Sequence, residues 1–135
     1  MSSLPLPDNS AAPLVLLAGA VPDSAADLLR EAHYRVRRVE SGAALLRLAR
    51  GERSPRLILL GETVADQTGL GLLSRLQDDA ATRAIPVLFV AGGGEADEEQ
   101  ALALGARDCL NLPLRPLVLL ARVQAQLRLA ALSVR

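Results

Sequence analysis

The sequence predicts a doubly wound α/β domain, with five parallel strands in one sheet and helices on both of its faces. Three observations carry that prediction. Short runs rich in Val, Ile and Leu alternate five times with longer stretches of helical spacing. Three of the runs are nearly continuously apolar, as expected for strands covered on both sides. The connections are short, which forces parallel strands and right-handed crossovers.

Taken in order, residues 1–13 (MSSLPLPDNSAAP) hold three prolines and several small polar residues, and predict a flexible N-terminal tail. The first strand is LVLLAG at 14–19. Pro22-Asp23-Ser24 opens a helix whose Ala25, Leu28, Leu29 and Ala32 follow i, i+3, i+4, i+7 spacing. YRVRRV at 34–39 is the second strand. Ser41 caps a second helix carrying Ala44, Leu45, Leu48 and Ala49 and stopping at Gly51. RLILLG at 56–61 is the third strand, followed by a helix from about Gly69 to Asp79 with Leu70, Leu73 and Leu76 inward. IPVLFVA at 85–91 is the fourth strand. The fourth helix starts near Glu95, sets Asp97, Glu98 and Glu99 in its first turn where the dipole favours acids, and stops at Gly105. DCLNL at 108–112 closes the sheet, and the fifth helix follows Pro116.

The chain has 135 residues, the size of one domain. Its only aromatics are Tyr34 and Phe89, so the core must be aliphatic. All 15 basic residues are Arg, which excludes chemistry that needs a lysine ammonium, such as a Schiff base or a phosphate-gripping lysine. A net charge of zero with both signs interspersed leaves no footprint for a nucleic acid or an anionic membrane. Cys109 is a lone thiol and reads as a small buried hydrophobe. The apolar run Leu14 to Ala20 is too short to span a bilayer and follows no basic residue, so a cytoplasmic location is expected.

In open sheets of this kind ligands bind outside the carboxyl ends of the strands. Those ends are Ala18-Gly19, Glu40-Ser41, Gly61-Glu62, Ala91-Gly92 and Leu112-Pro113. Only Glu62 and Asp66 lie near enough to ligate a hard cation, too few to make a cation site, so no metal and no cofactor is expected. Gly92-Gly93-Gly94 offers backbone N–H groups to a phosphate, but it matches no phosphate-loop pattern and reads as a flexible loop. His33 reads as a helix-end residue, and Ser54, Thr68 and Ser74 lack the context of a nucleophile.

The stretch from Leu14 to about Leu129 resembles the receiver domain of bacterial two-component response regulators. The likeness is densest at 55–94 and at 102–123, and includes Ile85-Pro86 opening the fourth strand, Gly105-Ala106 before the fifth and Pro113 after it. The resemblance implies the flavodoxin-like three-layer sandwich with strand order 2-1-3-4-5. It also implies a cis Leu112-Pro113 peptide, a geometry that costs only about 0.5 to 1 kcal/mol before proline.

Carried over position by position, the resemblance implies a degenerate phosphorylation site. The acidic pair of the family falls on Ala18-Gly19, or on Gly19-Ala20 with a one-residue slip; the phosphoacceptor aspartate falls on Gly61, the Thr or Ser on Ala91, the lysine on Leu112 and the aromatic switch on Cys109. Acceptor oxygen, cation ligands and lysine are the three things that phosphoryl transfer to a carboxylate requires. Glu62, next to the acceptor position, points to the other face of the strand and is a poor substitute.

The expectation is therefore a pseudo-receiver: a non-enzymatic module that signals through protein contacts and regulates an attached or partner output domain. In the family the fourth helix, fifth strand and fifth helix often form a homodimer face, and Asp108 and Arg122 match positions that pair there. As ordinary solvated charges they would be worth less than about 1 kcal/mol each. Leu120, Val123, Leu127, Ala130 and Val134 repeat at 3-4 spacing, so residues 133–135 read as the end of a helix leading out of a 14–132 domain. Receivers with such a last helix often precede a diguanylate cyclase or phosphodiesterase. The alternative is a small-ligand binder that reuses the emptied crevice with Gly92 to Gly94 as its anion loop. A flavodoxin-like enzyme fits least, because no Ser/Thr-rich phosphate loop follows the first strand.

Overall fold

A computed structural model describes residues 12–65, 67–92 and 95–133. The main sheet holds β1 (Leu14–Ala18), β2 (Arg35–Val39), β3 (Leu57–Gly61), β4 (Val87–Ala91) and β5 (Asp108–Asn111). All adjacent pairs are parallel and the spatial order is β2-β1-β3-β4-β5, the flavodoxin-like arrangement with its reversal beside β1.

Five helices, α1 (Asp23–Glu31), α2 (Gly42–Arg50), α3 (Gly69–Asp78), α4 (Glu95–Ala103) and α5 (Pro116–Ser133), cover both faces. Because side chains alternate along a strand, the sheet feeds two cores. Leu16, Ile58, Leu60, Val87 and Phe89 pack with Leu45 and Leu46 of α2, Leu72, Leu73 and Leu76 of α3 and Ala101 of α4. Val15, Leu17, Leu57, Leu59, Leu88 and Val90 pack with Ala25 and Leu29 of α1 and Leu119 and Val123 of α5. Each fully buried leucine contributes roughly 2 kcal/mol of transfer free energy, so β1, β3 and β4 anchor the fold.

Helix ends follow local chemistry. Ser41 Oγ accepts from the Ala44 amide at 3.1 Å and starts α2, and Thr68 Oγ1 accepts from the Gly71 amide at 3.0 Å and starts α3. Asp23 begins α1 with no side-chain cap. His33 (φ +72°) leaves α1 in the left-handed region, as helix-end residues do, and Gly105 (φ +112°) does the same after α4. The Leu112-Pro113 peptide is cis, as the resemblance implied.

One expectation needs correction, and two features add to the sequence reading. On α3 the buried positions are Leu72, Leu73 and Leu76, while Leu70 is only half-buried at the rim. An antiparallel hairpin, Thr63–Val64 with Gln67–Thr68, fills the connection between β3 and α3, and strands of two residues leave no periodicity to read. The 3-4 stripe of α5 faces inward: Val123 is fully buried, and Leu120 and Leu127 pack on the α1 side of the sheet. The stripe is core at Val123 and half-buried at Leu120 and Leu127, and its last member, Val134, lies outside the described residues. Of the segment assigned to the tail, residues 1–11 lie outside the described residues; the carbonyls of Ala12 and Pro13 accept from the Arg35 side chain and amide, each at 3.0 Å.

Candidate functional site at the strand ends

Ala18 ends β1, Gly61 ends β3, Ala91 ends β4, and Leu112 follows β5. Their positions in the parallel register bring these ends together at one edge of the sheet, Gly61 level with Val90 and Ala18 level with Leu60. Ala18 and Ala91 are fully buried. Ala18 and Ala91 are therefore part of the packed interior, and Leu112 is half-buried beside it.

At the strand ends main chain lies close against Gly61 and Gly19. A Cβ on Gly61 would lie 2.6 to 2.7 Å from the backbone of Ala20, closer than the 3.0 Å that real Cβ contacts observe. Gly19 (φ +72°) faces the Thr63 carbonyl and the Val64 side chain so closely that a Cβ there would collide with both. The turn after β1 is stitched down by Gly19 N–H donating to Val39 O at 3.1 Å and Ala20 N–H donating to Thr63 O at 2.9 Å. Three segments, the β1–α1 turn, the end of β3 and the hairpin, thus meet mainly through backbone, with the Val64 side chain against Gly19, an approach that glycine at Gly19 and Gly61 permits.

Arg38 holds that turn from the neighbouring strand. Its guanidinium donates to the carbonyls of Gly19 (3.1 Å) and Val21 (2.7 Å) and to Asp23 Oδ1 (3.0 Å), with Glu40 4.0 Å away. The planar fork of an arginine suits three acceptors set around a turn. Nothing in the spacing of YRVRRV singles out Arg38; its one signal was an arginine at the inner end of an edge strand.

Glu62 bridges two strand ends. Its Oε1 accepts from the Gly92 amide at 2.5 Å, and its carbonyl accepts from the Gly69 amide at 2.7 Å, where α3 begins. Asp66, Gly93 and Gly94 lie outside the described residues. Among the described residues a divalent cation does not fit this arrangement: the positions that the resemblance assigns to its ligands hold Ala18, Gly19 and Gly61, and the Glu62 carboxylate accepts from an amide donor. Among the described residues no group of three His, Cys, Asp or Glu side chains converges as a metal site.

At β5 the side chains are more varied. Burial pushes the Cys109 thiol up to about 11, with Glu98, Asp108 and Glu62 adding to the shift and Arg122 opposing it. Such a thiol stays protonated and unreactive at neutral pH. Asp108 and Arg122, matched to dimer positions by sequence, are brought together within one chain: Arg122 Nη1 donates to Asp108 Oδ2 at 2.5 Å across β5 and α5. Beside them Cys109, Leu112, Pro113, Val118 and Arg122 line a hollow of about 310 Å³. The remaining candidates lie apart from the strand-end positions Gly61 and Ala91 in the sequence. Thr68 caps α3, Ser74 lies on the groove between α3 and α4, and Ser54 sits in the turn before β3.

Comparison with known proteins agrees with this architecture. The family model of the response regulator receiver domain matches residues 20–124. The two-component response regulator ORR3 of Oryza sativa subsp. indica is 33% identical over 104 residues, covering 72% of this chain and 79% of its own. Among solved structures, the signal receiver domain of a signal transduction histidine kinase from Syntrophus aciditrophicus superposes with TM-score 0.75 at 26% identity, covering 87% of this chain and 91% of its own. The receiver domain of sensor histidine kinase PA1611 from Pseudomonas aeruginosa PAO1, with a magnesium ion in its active-site cleft, shares the fold with TM-score 0.77 at 23% identity, over 87% of this chain and 99% of its own. In sequence and in fold, this chain belongs to the response regulator receiver domain family.

Proposed function

We propose that this receiver domain signals without accepting a phosphoryl group. Receiver domains are signalling modules that act on other proteins, often on output domains attached to them. The observation that carries the proposal is the contact at Gly61: the position that would bear the acceptor carboxylate has no side chain, and the Ala20 backbone occupies the space one would need. Ala18, Gly19, Ala91 and Leu112 supply none of the oxygen or ammonium groups the transfer requires.

In this reading the unit is the 14–132 domain, residues 134 and 135 lie outside the described residues, and the output is delivered through α4, β5 and α5 to a protein partner, an attached output domain or a second copy. Exposed Leu102 on α4 and Leu117 on α5, 46% and 82% accessible, supply apolar contact area there, with Asp97, Glu98 and Glu99 at its acidic end. No helix of the described residues is long and apolar enough to cross a membrane. The test is incubation with acetyl phosphate and Mg²⁺, read by intact mass. The proposal expects an unmodified protein, and a stable phosphoaspartate would overturn it. For the homodimer, light scattering at high concentration should show a dimer that Arg122→Glu dissociates; a monomer unaffected by that substitution would remove this part.

A further inference from the structure

The Gly92 amide is the first N–H beyond β4, at the edge of the sheet where strand-end loops present backbone donors to anions. In this chain the donor is already taken. Glu62 Oε1 accepts from it at 2.5 Å, a bond that joins residues 30 apart in sequence and links the end of β3 to the segment leading into α4. A hydrogen bond to an ionised acceptor is roughly twice as strong as a neutral one. Glu62 forms no ion pair among the described residues, so this amide is the partner its carboxylate has in the structure. The other end of the residue is fixed as well, because its carbonyl accepts from Gly69 at 2.7 Å.

We propose that Glu62 is the resident anion of the strand-end site: its carboxylate occupies the Gly92 amide that an external oxyanion would otherwise take, and so ties the residue that follows β4 to the end of β3. Glu62 is a positioning residue, acting on the α4 side of the domain through Gly92. The inference rests on the proposal that no phosphoryl group enters this site, since a built-in anion replaces a transferred one.

Gly92 provides an independent way to break the contact. A Cβ added there would lie 2.9 Å from Glu62 Oε1, the movable end of a flexible side chain, so Gly92→Ala should push the carboxylate away without deleting it.

The experiment is NMR on the full chain, following the position and hydrogen exchange of the residue-92 amide in wild type, Glu62→Ala, Glu62→Gln and Gly92→Ala. In wild type the amide should be protected, and inorganic phosphate or acetate at millimolar concentration should leave its resonance unmoved. In Glu62→Ala exchange should accelerate on the order of ten- to hundredfold, the range expected for losing a hydrogen bond to a charged group. Phosphate and acetate should then shift the resonance saturably and restore protection. Glu62→Gln, which keeps an acceptor oxygen but no charge, should fall between the two and covers the case in which the alanine variant fails to fold. Gly92→Ala should exchange as fast as Glu62→Ala. Equal exchange in wild type, Glu62→Gln and Gly92→Ala, or phosphate moving the wild-type resonance as much as that of a variant, overturns the inference. Phosphorylation of wild type by acetyl phosphate would instead remove the functional proposal, a result read by mass and independent of the Gly92 amide.

Discussion

The end of β3 and the face built by β5 and α5 lie on the same domain and are made of different material. At the β3 end the contacts are backbone on backbone, Gly61 against Ala20 and Gly19 against Thr63, with Arg38 and Glu62 reaching in from outside to tie the loops. On the β5–α5 face the contacts are between side chains: Asp108 with Arg122, Cys109 beneath them, and exposed leucines beyond. The difference decides what substitution can do. A site closed by main chain resists repair by any single side chain, whereas a face of side chains can be retuned one residue at a time.

The largest effect should come from forcing a side chain into the backbone-filled end. Gly61→Asp should destabilise the domain by about 3 kcal/mol, combining overpacking with a poorly solvated carboxylate, and should not create a phosphoacceptor. Chemical denaturation with intact-mass analysis checks both parts, and a stable, phosphorylated Gly61→Asp protein would erase the contrast between the two regions.

Next is the clamp. Arg38→Ala removes three hydrogen bonds from a guanidinium that is only 25% exposed, and should cost about 2 kcal/mol while leaving the β5–α5 face intact. Amide exchange should quicken at Gly19 and Ala20, with little change at Cys109.

A smaller effect is expected on the side-chain face. The Asp108–Arg122 pair is partly exposed, so a double-mutant cycle with alanine at both positions should return less than about 1 kcal/mol of coupling. A coupling as large as the Arg38 effect would show that the face contributes to the fold itself.

At neutral pH no effect is expected from Cys109, and its contribution changes only in alkaline solution. Its thiol is held at about 11 in the folded protein against an ordinary 9.0, so the unfolded chain ionises first as pH rises. The contribution to stability is therefore complete below about pH 9 and is lost between about pH 9 and pH 11. The pH dependence of alkylation by iodoacetamide should give the same apparent value, and ready labelling at neutral pH would contradict the burial.

Much of the architecture was legible in the sequence because it follows from periodicity and punctuation. The apolar runs at 14–19, 56–61 and 85–91 had to be buried strands, and Ser41, Gly51 and Gly105 marked helix ends that the structure retains. Spacing alone could not tell which partner an apolar stripe meets, so the Leu120 to Leu127 stripe of α5 could serve a coiled coil or the molecule's own sheet, and it serves the sheet. The two residues that tie the strand ends were hidden for another reason. Arg38 reaches 19 residues back to Gly19 and Glu62 reaches 30 residues forward to Gly92, contacts that exist only once the parallel sheet sets the ends side by side. Alternation at the end of β3 sets Glu62 apart from the position of Gly61. What it left unseen was a donor on the next strand waiting for that carboxylate.

The absence of lysine excluded a class of reactions at the level of composition, and the position that the resemblance assigns to a lysine holds Leu112. The central claim is that this end of the sheet no longer accepts a phosphoryl group, and the most direct measurement is the intact mass of the wild-type chain after incubation with acetyl phosphate and Mg²⁺. The account predicts no gain in mass, whereas one added phosphoryl group, mapped to an acidic residue at the strand ends, would contradict it.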